Sequence, residues 1–429
     1  MIKVLTVLGT RPEAIKLAPV IRELRRYPET FDSKVCVTHQ HRELLDPMLE
    51  LFDVKADYDL DLMTAEQTLT GVTSAVLTGL ESILIEERPD WVMIQGDTIT
   101  VMAASMAAFF QMIRVVHVEA GMRTFDKYSP FPEEINRRMT SVVADLHIAA
   151  TELGATNLKR EGVPENRIAI TGNTVIDSLH QVAAMPFDPA GTVLDGLEQA
   201  EKLVVVTAHR RENFGEGMRH IAGTLRLLAE EHPELHLAYP VHLNPQARKY
   251  AYERLADLEN VSLLPPLAYT EFVWLLKSAY FVITDSGGLQ EEAAGLGKPA
   301  LIMRENTERP EGVRAGIAKL VGTNRDELLA CAGRLLRDPL EYKAMVSAGC
   351  PYGDGMAGER IIDALMGQHE ARRRVDHIYE QMDPEDPLDA LVNHDGRSHL
   401  NRRSSDRRLE RGHNGVVFDE RYMTAQSTR

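Results

Sequence analysis

The sequence predicts an α/β protein of two doubly wound, Rossmann-like halves with a ligand cleft between them. Three observations carry that reading. Short apolar runs alternate with longer amphipathic stretches in two successive series, the pattern of βαβ units whose parallel sheets are covered on both faces. Turns rich in Gly, Ser or Pro follow several of the apolar runs and open helical stretches, which places ligand contacts at strand carboxyl ends. The chain has 429 residues, more than one hydrophobic core normally serves.

In the first series the strands are Ile2–Leu8, Lys34–Thr38, Trp91–Gln95, Val115–Val118 and His147–Ala149. Helical stretches such as Ala14–Arg25, Leu69–Glu87 and Val101–Phe110 separate them. The second series reads Leu203–Thr207, Leu235–Pro240, Val261–Leu263, Tyr280–Thr284 and Ala300–Ile302. Its helices include Met218–Glu231, Gln246–Asp257 and Gly288–Gly295. The seam falls at Gly172–Ser178 or in the looser Met185–Gly196 stretch, giving halves of 1–173 and 174–354. From about Gln368 the character changes. Residues 371–429 hold 11 Arg, no Lys and 11 Asp+Glu, with little apolar periodicity after Tyr379. That segment reads as a charged, loosely docked tail, and Arg402-Arg403 and Arg407-Arg408 as solvated charge.

Hydrophobic residues make up 44% and charged residues 26%, the balance of a globular chain. A formal net charge of −16 opposes broad binding to nucleic acid or to anionic membrane, both polyanions. No apolar run approaches the roughly 18 residues a spanning helix needs. The start, MIKVLTVLGTRPE, reads as a core strand rather than a secretion signal. The expected setting is therefore the cytoplasm, without membrane insertion. Cys36, Cys331 and Cys350 show no metal-ligand spacing and read as structural thiols.

The strongest local motif is Thr284-Asp285-Ser286-Gly287-Gly288-Leu289-Gln290-Glu291-Glu292, a strand end that opens a helix. First-turn N–H groups are unsatisfied donors, glycines admit close approach, and the helix dipole favours an anion. Ser286 can add a hydroxyl to a diphosphate, and Glu292 can accept from ribose hydroxyls. An ordinary Ser-capped helix fits the same residues. Gly9-Thr10-Arg11-Pro12-Glu13 with Lys16 makes a second such turn carrying two cations, suited to phosphate or carboxylate, or to a plain helix surface. Asp97 and Glu119 follow or end the strands WVMIQ and VVHV, and Glu133 lies in the proline-rich loop Pro130–Glu134. Clustered at one cleft, such carboxyls raise at least one pKa and make a neutral acid available; each alone also suits a cap or a salt bridge. His209, in HRREN, and His242 follow second-half strands and suit proton exchange or phosphate contact, or a structural role. The alternating Asp57–Asp61 string fits an edge segment better than a metal site. No GxxxxGK[ST], HExxH or GxSxG motif occurs, so no metal or cofactor is expected.

The ordered set GTRPEAIKLAP, QHRELLD, QGDT, HVEAGMRT, SPFPEEINRR, ITGNTVID, HRRENFG, YPVHLNP, TDSGGLQEEA and GKPALIMRENTERPE spans about Met1 to Met366. It resembles the non-hydrolysing UDP-N-acetylglucosamine 2-epimerases. The resemblance implies a GT-B architecture whose final helix, near Gly358–Met366, crosses back to the first half. It also implies a homodimer and reversible conversion of UDP-GlcNAc to UDP-ManNAc for surface polysaccharide. In that chemistry UDP is eliminated to a bound 2-acetamidoglucal and added back after protonation of the other face.

By the same resemblance Asp97, Glu119, Glu133 and His209 are catalytic. Arg11, Lys16, His242, Phe272, Ser286, Gly287, Gly288 and Glu292 would bind UDP and sugar. Gln40, His41 and Arg210 are candidates for an allosteric substrate site, which Glu43 and Glu66 put in doubt by replacing polar and Arg side chains. Ile99 likewise replaces a threonine of the usual run after Asp97. The rivals are an epimerase of a related UDP-hexosamine, a hydrolysing epimerase, a retaining GT-B glycosyltransferase, and a silent sugar-nucleotide sensor. Glycosyl transfer needs no C2 proton movement, so the Asp97/Glu119/Glu133 set favours epimerisation.

Overall fold

The computed structural model describes residues 1–381 apart from 40–41, 63–66, 211–212, 214 and 243. The first seven strands are β1 (Ile2–Leu8), β2 (Phe31–Val37), β3 (Tyr58–Asp59), β4 (Trp91–Gln95), β5 (Arg114–Ala120), β6 (Leu146–Ala149) and β7 (Ile168–Ile170). Six more follow: β8 (Lys202–Thr207), β9 (Leu235–Pro240), β10 (Val261–Leu264), β11 (Phe281–Thr284), β12 (Ala300–Ile302) and β13 (Ala318–Leu320). They form two sheets, ordered β3-β2-β1-β4-β5-β6-β7 and β10-β9-β8-β11-β12-β13. Every pairing is parallel. Strand order reverses between β1 and β4 and again between β8 and β11. In doubly wound sheets those two switch points are where a crevice opens at the strand carboxyl ends.

The helices of the first series are α1 (Arg11–Arg26), α2 (Arg42–Leu51), α3 (Leu69–Glu87), α4 (Ile99–Phe110), α5 (Glu133–Val143), α6 (Glu152–Arg160) and α7 (Thr174–Ala183). Those of the second are α8 (Glu216–Glu231), α9 (Pro245–Leu255), α10 (Tyr269–Ser278), α11 (Gly287–Gly295), α12 (Pro310–Ala315), α13 (Arg325–Arg337), α14 (Pro339–Ser347) and α15 (Ala357–Gln381). Central strands are mainly apolar because helices cover both faces; β4 and β11 are buried at every position. Helix α1 buries Ala14, Leu17, Ala18, Ile21 and Leu24, the spacing of one helical face. Pro12 fits its first turn, where the missing N–H costs nothing.

One hydrophobic cluster joins the two series. It contains Leu17 and Ile21 of α1, Val175 and Leu179 of α7, Tyr269 and Val273 of α10, and Ile361, Ile362 and Leu365 of α15. The last three are fully buried, and each contributes roughly 1.5–3 kcal/mol by burial. Helix α15 shares this cluster with α1. Asp177 Oδ1 accepts from the Gly358 N–H at 2.8 Å at its start.

Several elements differ from expectation. Strands β3, β7 and β13 span only two or three residues, too few for a readable period. The Asp57–Asp61 string does hold an edge strand, with Asp59 and Asp61 paired to Arg42 and Asp59 also to His39. Helix α15 runs to Gln381, past the expected end near 367. Its apolar period stops there, but Arg, Glu and Gln are good helix formers. Residues 382–429, most of the expected tail, lie outside the described residues. Helix α3 is long and apolar enough to cross a membrane by length and composition, although Thr, Gly, Ser and Glu interrupt its apolar residues. It lies on the protein instead, burying Val76, Leu80, Ile83 and Leu84.

Candidate active site

At the first switch point three turns converge. In the β1–α1 turn Glu13 Oε2 accepts from the Gly9 and Thr10 N–H groups at 2.6 and 2.8 Å, and Oε1 accepts from Thr98 Oγ1 at 2.6 Å. One carboxyl thus ties the Arg11 turn to the Asp97 turn. Asp97 follows Gly96, whose φ of +85° turns the chain sharply after β4. Its Oδ2 accepts from Arg137 at 2.6 Å, and its side chain keeps 29% exposure. Glu119 sits on a bulge of β5, where the register with β6 shifts between Val118 and Ala120. Its φ of +63° costs of order 1–3 kcal/mol in a residue with a Cβ. That backbone turns the carboxylate onto Lys16 Nζ at 2.5 Å, Asn173 Nδ2 at 2.9 Å and the Gln95 amide. Glu133 is the first residue of α5 rather than a loop residue, and its buried Oε2 has no hydrogen-bond partner.

The two strand-end carboxyls are driven apart. Burial raises the Asp97 pKa; Arg137 and Lys16 pull it down and Glu119 and Glu133 push it up, with a net rise. Burial acts on Glu119 in the same sense, but Lys16 and Arg309, with hydrogen bonds from Lys16 and Asn173, leave it lowered. The two neighbouring carboxyls are thus shifted in opposite directions.

The second switch point is built on Asp285, which is fully buried. It accepts from the His209 and Arg210 N–H groups, each at 2.9 Å, and from Asn213 Nδ2 at 3.0 Å. This fixes the loop after β8. The His209 ring stacks on exposed His242 at 5.8 Å between centroids. Burial lowers the His209 pKa, opposed by Asp285 and assisted by His242 and Arg210, so its neutral form is favoured near pH 7. Ser286 occupies the N-cap of α11 but its hydroxyl makes no cap bond, and the space beside Gly288 is open to 4 Å. An ordinary Ser cap is thus absent, and the helix start is available to an anion. A Cβ on Gly287 would fall 2.4 Å from Glu308 and 2.6 Å from Arg309.

Glu292 accepts from Tyr269 OH at 2.9 Å and is pushed up to about 7, mainly by burial. The Arg11 guanidinium lies 5.9 Å from the Tyr269 ring, so a first-half cation faces the second half. Phe272 of α10 is half-buried in the apolar cluster with Leu289 and Ala293 of α11. Arg210 pairs with Glu308 at 3.3 Å. Gln40, His41 and Glu66 lie outside the described residues; Glu43 is exposed on α2.

The structure therefore brings Asp97, Glu119, Glu133 and Lys16 together, and His209, His242 and Ser286 around the other switch point. Lys16 Nζ is paired with Glu119. Sequence reasoning missed Asn173, Glu291 and Arg309, which join the two groups: Asn173 Nδ2 also reaches Glu291 Oε1 at 3.1 Å, and Arg309 Nε lies 3.1 Å from the same oxygen. All three stand inside the quoted motifs, but their partners lie 54 to 118 positions away for Asn173. Among the described residues no group of three or more His, Cys, Asp or Glu forms a metal site.

Fold and site together define a two-sheet α/β enzyme of the GT-B class. A family described as UDP-N-acetylglucosamine 2-epimerase matches residues 22–366, and the chain belongs to that family. An Escherichia coli K12 UDP-N-acetylglucosamine 2-epimerase is 50% identical over 369 residues, covering 85% of this chain and 98% of the relative. A Neisseria meningitidis UDP-GlcNAc 2-epimerase solved with UDP-GlcNAc superposes with a TM-score of 0.79 at 44% identity, covering 85% of this chain and all of the other. A Staphylococcus aureus protein solved with UDP gives a TM-score of 0.79 at 42% identity, covering 86% and 97%.

Proposed function

We propose that the protein interconverts UDP-GlcNAc and UDP-ManNAc by eliminating and re-adding UDP, in a cleft between halves 1–173 and 174–354. The observation that carries the reading is the oppositely driven pair Asp97 and Glu119 at neighbouring strand ends. The C2–H of the sugar is not beside a carbonyl and resists direct deprotonation. Heterolysis of the anomeric C–O bond sends its electron pair to UDP and leaves oxocarbenium character that acidifies C2–H. Glu119, held ionised, accepts that proton and the C1=C2 bond forms. A carboxyl group on the other face, Asp97 or Glu133, returns a proton to C2, and UDP re-adds at C1. The α11 start with Ser286, Gly287 and Gly288, together with His209 and Arg11, stabilises the departing diphosphate. His242 and Phe272 flank the nucleotide, and Glu292 meets the ribose. Lys16 keeps Glu119 charged.

A homodimer is part of the same proposal. Ile135, Met139 and Val142 recur at one face of α5, and Phe109, Phe110 and Met112 close α4, all exposed. Val142 is 85% and Phe110 62% exposed. An apolar patch of this kind suits a second copy of the chain.

The test is incubation with UDP-GlcNAc, excess EDTA and no NAD, with products identified by NMR. UDP-ManNAc should appear, and UDP-ManNAc should return UDP-GlcNAc. Release of free ManNAc with UDP would favour a hydrolysing enzyme, and activity lost to EDTA but restored by a divalent ion would contradict a metal-free reaction.

A further inference from the structure

Asn173 stands where the chain passes from the first sheet to the second. Gly172, at φ +89°, and Gly353, at φ +135°, meet there back to back. A Cβ on Gly172 would fall 3.1 Å from Gly353 Cα, and one on Gly353 3.2 Å from Gly172 Cα. The Asn173 N–H donates to Tyr352 O at 2.6 Å, which joins the outgoing and returning strands of chain. The Asn173 side chain is buried, and its orientation follows from three neighbours. Its Oδ1 caps α7 by accepting from Val175 N–H at 3.1 Å. Its Nδ2 donates one hydrogen to Glu119 at 2.9 Å and faces Glu291 at 3.1 Å with the other. Both acceptors are carboxylates and the donor is a backbone N–H, so the reverse orientation would satisfy none of them.

We propose that Asn173 is the positioning residue for Glu119, holding its carboxylate from the crossing between the halves and tying it to Glu291 in the second. The inference rests on Glu119 handling the C2 proton. Asn173 touches no reacting atom; it acts through Glu119. A hydrogen bond to a carboxylate stabilises the charged form, whereas a second carboxylate nearby opposes it. The groups facing Glu119 are Lys16 from α1, Asp97 after β4, His117 on β5, Glu291 from α11 and Arg309 ahead of α12. Asn173 and Glu291 therefore act on Glu119 in opposite senses.

The pH profile of kcat/KM separates this from a structural role. Asn173→Ser keeps a hydroxyl cap for α7 but is too short to reach either carboxylate. Asn173→Asp keeps the cap and the size while removing the donor. In Asn173→Ser the acidic limb should move up by about one pH unit, and in Asn173→Asp further, with turnover at neutral pH down at least about tenfold. Glu291→Gln should move the limb the other way, to lower pH. If Asn173 were a mere helix cap, both variants would retain that cap and leave the limb in place. An unmoved limb in both Asn173 variants, with Glu119→Gln inactive, overturns the inference while leaving the proposed reaction standing. Wild-type turnover in Glu119→Gln overturns the reaction assignment and this inference with it.

Discussion

At the residue scale, the decisive contrast is between carboxyls that differ only in surroundings. Asp97, Glu119 and Glu292 are all acidic residues near a strand end or helix start, a placement legible in the sequence. Their protonation preferences are not legible, because Lys16, Arg137, Arg309 and Tyr269 come from remote positions. Amide replacement of Asp97, Glu119 or Glu133 should lower turnover by about 10²–10⁴-fold with the melting temperature nearly unchanged; lost stability with turnover per folded molecule preserved would mark a structural group. Glu292 gives a separate test. Its folded pKa of about 7 stands above the ordinary 4.5, so the folded protein holds a proton that the unfolded chain releases. Below about pH 4.5 both states are protonated and nothing is lost; as pH rises through 7, ionisation destabilises the fold. Glu292→Gln, which can still accept from Tyr269, should melt near wild type at pH 4 and higher than wild type at pH 8. A gap that stays constant across that range contradicts the shift.

At the element scale, helices were readable because their periods run long enough, and central strands because their apolar runs stand out. The strands β3, β7 and β13 were not, since two or three residues carry no period. The bulge at Glu119 was invisible for a different reason: it is a register event between β5 and β6, not a property of one segment. Helix α11 combines both cases. Its strand–turn–helix setting was plain in TDSGGLQEEA, while the uncommitted Ser286 hydroxyl required the structure. Ser286→Ala should accordingly raise KM for UDP-GlcNAc about 10-fold or more, the worth of a hydrogen bond to a charged group. Its melting temperature should match wild type, because no cap is lost. A fall of the size typical for a lost N-cap, about 1 kcal/mol, with KM unchanged would reverse that assignment.

At the scale of the whole molecule, two switch points face the problem from opposite halves: one supplies carboxyls, the other a helix start. The two-sheet plan followed from the repeated strand–helix series. The links across it did not, since Asn173 and Arg11 find partners only once both sheets are formed. The exposed face of α4 and α5 carries an assembly prediction. Met139→Glu with Val142→Glu should convert a dimer to a monomer in sedimentation velocity; an unchanged mass places the interface elsewhere. The central claim is that a base and an acid exchange the C2 proton with solvent, and deuterium wash-in measures it directly. In D₂O the wild-type enzyme should yield UDP-ManNAc with one deuterium at C2, and deuterium should enter the recovered UDP-GlcNAc. In Glu119→Gln the exchange should fall in step with turnover. UDP-ManNAc formed with its original C2 hydrogen retained, or wild-type exchange in Glu119→Gln, would contradict the account.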